Sequence, residues 1–248
     1  IQTSPGYRMK YREFRDFRNE RGRKLEVVTE DHITGLDVTS HYQFYDGISV
    51  VRAWTEVRNR GTEPQGLEYV SSFALNGIEK EGLREFDEKL ELRIPHNAWQ
   101  KELDWASYTL RELGLSSTQP HSMHRSSKTI GIGNTGNWSA KEYIPMGYLE
   151  NQETRSSLFW QIEHNGSWYW EISDQDGHVY LKLSGPTEHH NHWWKNLQPG
   201  ETFLTVPVSV GTAEGGFDEA MGELTKYRRA IRTVQALKPA GSKIIRTT

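Results

Sequence analysis

Three histidines and two tryptophans crowd residues 189–194: His189, His190, His192, Trp193 and Trp194, framed by Glu188 and Asn191. A His-x-His pair on an extended strand would place both imidazoles on one face, as in metal-binding jelly rolls. Such a site needs a third ligand from elsewhere. The remaining histidines, His32, His41, His96, His121, His124, His164 and His178, form no second motif. The expectation is therefore no metal and no other cofactor, with the histidines as polar residues of a loop between two strands. Trp193 and Trp194 are adjacent, so on an extended chain their rings point to opposite faces. One suits a core, and the other is free to meet a neighbouring domain or the apolar face of a sugar.

Other chemistries leave weaker traces. Glycoside hydrolysis uses two carboxylates flanking the scissile bond. The chain has 33 acidic residues, so pairs such as Glu102 with Asp104, near Trp99 and Trp105, or Glu163 with Glu171 arise inevitably. Nothing in the sequence marks either pair as buried or coupled. No Gly-x-Ser-x-Gly elbow is present, and "NGSWYW" reads as a hairpin turn. "TIGIGNTGNW" (129–138) contains a G-x-G but lacks the Lys-Ser/Thr of a phosphate loop. "YRMKYREFRDFRNERGRK" (7–24) interleaves basic and aromatic residues, as a platform for single-stranded nucleic acid would. Glu13, Asp16 and Glu20 dilute that charge, and the run reads as a charged edge strand or loop.

The chain has 248 residues, long enough for a sizeable core without disulfides or metal. It has no cysteine, which removes disulfides and thiolate chemistry. That fits a reducing compartment, and the bacterial cytoplasm is the expected location. A formal net charge of −3 gives no electrostatic footprint for nucleic acid. No apolar run approaches the roughly 20 residues of a membrane helix. The chain begins "IQTSPGY", and the expectation is a piece of a longer protein. Nine Trp and 11 Tyr suggest aromatics packed between sheets, rings that stack on sugars, or both.

Most of the sequence reads as strands. In 35–45, Leu36, Val38, Tyr42 and Phe44 alternate with Asp37, Thr39, His41 and Gln43. Asp46-Gly47 predicts a hairpin into 48–59, where Val51, Ala53, Thr55 and Val57 oppose Val50, Arg52, Trp54 and Glu56. Further strands are expected at 24–31, 67–78 and 90–100. Residues 102–128 lack a period and read as a long surface excursion. Asn165-Gly166 predicts a tight hairpin between two aromatic strands in 157–173, with Trp168 and Trp170 on one face. Asp176-Gly177 predicts another into 178–185, and 198–211 reads as a turn and one strand carrying Leu204, Val206, Val208 and Val210. Residues 215–234 carry Phe217, Ala220, Met221, Leu224 and Ile231 at helical spacing, with acids first and Lys226, Arg228, Arg229 and Arg232 later. The tail after this helix reads as polar and mobile. These elements predict an all-β fold: one large antiparallel sandwich closed by a C-terminal helix.

Several stretches together resemble the N-terminal domain of glycoside hydrolase family 36, the α-galactosidase group. They are "LEVVTEDHITGLDVTSHYQFYDGISVVRAWTEVRNRG" (25–61), the Trp-x-x-Glu of "PHNAWQKE" (95–102), "NTGNWSAKEYIPMG", "LFWQIEHNGSWYWEI", and "HWWKNLQPGETFLTVPVSVG" (192–211). The last carries Trp193 or Trp194 with Leu197, Pro199, Gly200, Glu201 and Phe203. The helix "FDEAMGELTKYRRAIR" resembles the family's connector. The resemblance implies a β-supersandwich domain over 1–214, and a connector helix and tail over 215–248 leading to a (β/α)8 barrel. In the family that barrel carries the nucleophile and acid/base Asp, so no catalytic residue is expected in this chain and the chain alone is expected to be inactive. Implied partners are that barrel, an α-galactoside or related carbohydrate, and further copies in a homo-oligomer; nucleic acid and membrane are not implied. Asp16, Phe17 and Arg18 match the end of a family Gly-Asp-Phe-Arg segment, with Arg15 replacing the glycine. Trp138 stands where relatives carry a Ser-His-containing segment. Asp16, Arg18, Trp138, Trp193 and Trp194 are thus the candidate substrate-binding residues. The alternative is a self-standing carbohydrate-binding module.

Overall fold

The structure is a computed structural model describing residues 4–117, 128–175 and 177–236. His121, His124, Asp176, the tail beyond the helix and part of the expected excursion lie outside those residues. Along the chain run α1 (Ser4–Arg8), β1 (Lys10–Asn19), β2 (Gly22–Asp31), β3 (Leu36–Tyr45), β4 (Ile48–Asn59), β5 (Gln65–Leu67), β6 (Phe73–Asn76), α2 (Phe86–Lys89), β7 (Leu90–Ala98) and β8 (Lys101–Thr109). Then follow β9 (Thr129–Asn134), β10 (Met146–Asn151), β11 (Ser156–Ile162), β12 (Trp168–Gln175), β13 (His178–Ser184), α3 (Glu188–Asn191), β14 (Lys195–Leu197), β15 (Thr202–Leu204), β16 (Val208–Glu214) and α4 (Phe217–Ala236). A large antiparallel sheet runs β1-β2-β3-β4-β16-β11-β10-β7-β8, with β15 also paired to β4. A four-stranded sheet, β6-β13-β12-β9, faces it, and β5 and β14 pair as a small ribbon.

The sandwich forms because period-2 side chains of both sheets meet. Ala53, Leu92, Ile94, Leu149, Trp160, Val208 and Val210 of the large sheet enclose one core with Ile130, Trp168, Trp170, Ile172, Leu181 and Leu183 of the small one. The opposite face of the large sheet is also covered. Tyr45, Val50, Tyr148 and Phe159 pack against Ala220, Leu224 and Tyr227 of α4. In β11, Trp160 therefore enters the inter-sheet core while its neighbour Phe159 meets the helix. A third cluster, Leu36, Val57, Leu67 and Leu197, closes one end, with Trp193 and Phe203 against it.

The strands at 24–31, 36–45 and 48–59, the Asp46-Gly47 hairpin (Tyr45 opposite Ile48) and the paired faces of Trp168 and Trp170 are as expected. The hairpin at 175–178 also forms, with Gln175 opposite His178. Asn165-Gly166 does not make a hairpin. β11 pairs with β10 and β16, and β12 pairs with β13 and β9, so this turn carries the chain from one sheet to the other. The reason is the aromatic content itself: Trp160 and Trp170 meet edge to face at 5.2 Å between the sheets, which side-by-side pairing would forbid. The expected excursion begins instead with β8, a mostly exposed edge strand whose exposure hid its period. The strand at 67–78 shrinks to β6, and 198–211 divides into β15 and β16 around Pro207, leaving Leu204 exposed.

Two local features make predictions. Gly147 lies opposite Trp160, and a β-carbon there would sit 2.2 Å from the indole Cζ2. Gly147→Ala should cost about 2–3 kcal/mol by overpacking, read as a lower denaturation midpoint at unchanged m-value. Asp31 is buried and accepts hydrogen bonds from Arg8 Nε (3.1 Å) and Nη2 (2.8 Å), Thr34 Oγ1 (2.7 Å) and Ile33 N (3.3 Å). Arg8 and these donors hold its carboxyl far below the usual range. A depressed folded-state pKa stabilises above the unfolded value, near 3.8, and that stabilisation is lost as pH falls through the acid range. Asp31→Asn should therefore flatten the acid limb of the stability–pH curve, in urea melts between pH 7 and pH 2.5.

Candidate carbohydrate-facing loops

Asn134 ends β9 and ties two distant loops together. Its side-chain Nδ2 donates to the Trp138 carbonyl at 2.6 Å, and its own carbonyl accepts from Asn191 Nδ2 at 3.0 Å. The Trp138 loop is pinned along its backbone. Trp168 Nε1 donates to the Ser139 carbonyl at 2.7 Å, the Gly136 amide donates to Ser167 Oγ at 2.8 Å, and Asn97 Nδ2 donates to the Ala140 carbonyl. With its backbone held, Trp138 presents its side chain outward, 62% exposed.

The second loop contains a single helical turn where an extended His-x-His strand was one possibility. Thr187 caps α3 by accepting from the His190 amide at 3.1 Å, and His192 ends it in the left-handed region at φ 52°. The turn removes the extended geometry that a His-x-His pair needs. His190 lies against Tyr169 with ring centroids 3.7 Å apart, and His189 meets it edge-on at 4.6 Å. Burial, and then His189, push the His190 pKa down, so its ring is neutral at pH 7. Among the described residues, no three His, Asp or Glu side chains gather as a metal site.

Trp193 and Trp194 diverge as their adjacency predicts. Trp193 packs on Phe203 at 5.2 Å, over the cluster of Leu36 and Val57. Trp194 is 67% exposed. Trp138 and the α3 loop are thus gathered at one end, each presenting an indole.

Asp16 and Arg18 do not join them. Both lie on edge strand β1, where Asp16 is opposite Leu25 and Leu25 is opposite Tyr42. Tyr42 is six residues along β3 from Leu36, beside Trp193, or about 20 Å. Asp16 accepts from Arg23 Nε at 2.8 Å, which holds its carboxyl below the usual range, and Arg18 pairs with Asp46. Of the weighed acid pairs, Glu163 and Glu171 take separate partners, whereas Glu102 and Asp104 stay neighbours on one exposed strand. Glu163 binds Arg52 and Tyr227, Glu171 binds Lys182 and Tyr180, and Glu102 and Asp104 are exposed on β8. Trp99, named in the sequence only as a neighbour of Glu102 and as part of the Trp-x-x-Glu element, is 86% exposed at the β7–β8 turn, and sequence reasoning missed the outer-face cluster around His41 and Trp54. Only the strand register could have revealed that cluster.

These features define a two-sheet antiparallel supersandwich with tryptophans displayed on pinned loops. It is the fold of the N-terminal region of family 36 α-galactosidases. The α-galactosidase of Lactobacillus brevis superposes with TM-score 0.73 at 15% identity, over 90% of this chain and 29% of that one. The galactosidase domain of the α-galactosidase–sucrose kinase AgaSK gives 0.72 at 17%, over 90% and 30%. A variant of AgaA from Geobacillus stearothermophilus, in complex with raffinose, gives 0.72 at 18%, over 91% and 30%. The chain thus spans about 30% of the length of each. No family model and no curated protein matches the sequence. No helix among the described residues is long and apolar enough to cross a membrane.

Proposed function

We propose that this chain is the non-catalytic N-terminal domain of an α-galactosidase-like retaining glycoside hydrolase. In this reading residues 1–214 are the sandwich, and 215–248 lead through α4 to a (β/α)8 barrel holding the reacting carboxylates. The single observation that supports it is the shared supersandwich, over about nine-tenths of this chain and about 30% of α-galactosidases. Trp138 and Trp194 offer rings to a sugar, with Trp193 as the buried anchor of the second. Asp16 and Arg18 lie too far away to share one monosaccharide with them. They serve a second pocket, such as that of another subunit in a homo-oligomer. The location in this reading is the bacterial cytoplasm.

The test is to express the chain joined to the barrel that follows it in the gene and to assay raffinose hydrolysis. Galactose release by the joined protein and none by the chain alone is the expected result. A joined, folded protein without glycosidase activity, or a gene with no barrel, would sink the reading. The self-standing carbohydrate-binding module remains the second reading because Trp138 and Trp194 are exposed. It requires the isolated chain to show a saturable tryptophan fluorescence change with raffinose that Trp138→Ala or Trp194→Ala removes.

A further inference from the structure

We propose that the outer face of β1–β4 holds a separate site for a monosaccharide bearing one acidic group, such as a hexuronate. This face lies on the other side of the sheet from Trp193, and the proposal is independent of the α-galactosidase reading. Strand register builds the site. Glu26, His41 and Trp54 stand in one row across β2, β3 and β4, with Thr39 opposite Glu56 and Asp37 opposite Arg58 in the rows beyond. The cleft measures about 560 Å³, within the range of small-molecule sites.

Its lining holds four guanidiniums, from Arg12, Arg15, Arg58 and Arg60, and three carboxylates, from Glu26, Asp37 and Glu56. Arg12 and Arg60 pair with Asp37 at 3.0 and 2.8 Å, Arg12 also lies 3.6 Å from Glu13 and from Glu30, and Arg15 pairs with Glu13 at 3.0 Å and Glu26 at 3.4 Å. Lys24 pairs with Glu26 at 2.7 Å, so the paired charges around the cleft balance and Arg58 is left over against Glu56. Among the described residues, Arg58 has no side-chain partner in a hydrogen bond or ion pair.

His41 supplies the second observation. It is 8% exposed, and its ring stacks on Trp54 at 4.9 Å with planes 10° apart. Nδ1 contacts Glu26 Oε1 at 3.2 Å, whereas Nε2 is buried without a hydrogen-bond partner and stands 3.8 Å from Glu56 Oε2. Burial, and then the Lys24 charge, lower the His41 pKa, so the neutral ring donates from Nδ1 to Glu26 and offers a lone pair at Nε2. An unsatisfied buried acceptor costs about 1–3 kcal/mol. A ligand that completes this cleft therefore brings a hydroxyl to donate to Nε2 and Glu56, and a single negative charge for Arg58. A neutral sugar leaves Arg58 unused, and a bare anion leaves Nε2 without a donor. A hexuronate supplies both.

The experiment titrates the chain with D-galacturonate, D-galactose and sulfate in parallel, following the Trp54 indole N–H by NMR, assigned through Trp54→Phe. The expected result is saturable movement with galacturonate, at least about tenfold weaker binding of galactose, and no response to sulfate. Arg58→Gln should weaken galacturonate about tenfold, the loss of one charged hydrogen bond. Both variants are checked for an unchanged melting profile. Sulfate binding as tightly as galacturonate means a bare anion site and overturns the proposal. So does galactose binding equally well, or no response to galacturonate in folded protein, in which case a water satisfies Nε2. A raffinose arm read at Trp138 and Trp194 reports on the other loops, so either idea can fail alone.

Discussion

Replacing Trp160 with alanine should be the most damaging single change in this chain, lowering stability by about 4–5 kcal/mol. The indole is fully buried between the sheets, lies on Gly147 across β10, and meets Trp170 edge to face. Its loss opens a cavity at the centre of the core that joins the two sheets. Rigid β-strands on either side cannot collapse into it. Trp160→Phe should cost far less, about 1–2 kcal/mol. It keeps most of the apolar volume and removes an indole N–H that has no hydrogen-bond partner. Urea denaturation of the three proteins, followed by far-ultraviolet circular dichroism, gives the comparison. Equal losses for Ala and Phe would mean that shape at this site, not buried volume, limits stability.

Glu163→Ala should follow at about 3 kcal/mol, with a melting temperature lower by roughly 10 °C. Glu163 Oε2 accepts from Arg52 Nε at 2.8 Å and pairs with Nη2 at 2.7 Å, and Oε1 accepts from the buried Tyr227 hydroxyl. One carboxylate thus joins the end of β11, the outer face of β4 and helix α4. Burial, and then Glu163 itself, push the Tyr227 pKa far up, so the phenol stays protonated and donates. Without Glu163, a half-buried guanidinium and a buried hydroxyl lose their partner together. Tyr227→Phe removes one hydrogen bond and should cost only about 1 kcal/mol. Replacing Arg52 and Glu163 together by Met and Leu should recover much of the loss, because no charge is then stranded. Calorimetry on the set decides it. A double variant as unstable as Glu163→Ala would show that the ion pair is worth its desolvation here.

Much of the fold is legible because period and turn chemistry are local. Leu36, Val38 and Tyr42 alternate, Asp46-Gly47 adopts the hairpin, and Phe217, Ala220, Met221, Leu224 and Ile231 repeat at helical spacing against the large sheet. Asn165-Gly166 shows the limit. The dipeptide favours a reversal of direction, but whether the next strand pairs beside the last or crosses to the facing sheet depends on which arrangement buries Trp160 and Trp170. The one-turn helix at 188–191 was hidden for a similar reason. Thr187 caps it, but it is too short to show a period. β8 was hidden by exposure on both faces, which erases alternation.

The candidate sites divide along the same line. Adjacency of Trp193 and Trp194 was enough to send one ring inward and one outward, because neighbouring side chains on an extended chain diverge whatever surrounds them. The sequence by itself likewise determined an all-β chain with a closing helix, since period and turn propensity act over a few residues. Only the tertiary structure decided that Asn134 gathers the Trp138 and α3 loops while Asp16 and Arg18 lie on an edge strand, about 20 Å along the sheet from the cluster on which Trp193 packs. The row of Glu26, His41 and Trp54 belongs to that second kind too. These residues are 15 and 13 positions apart in sequence, and they become neighbours only when backbone hydrogen bonds between three strands fix the register.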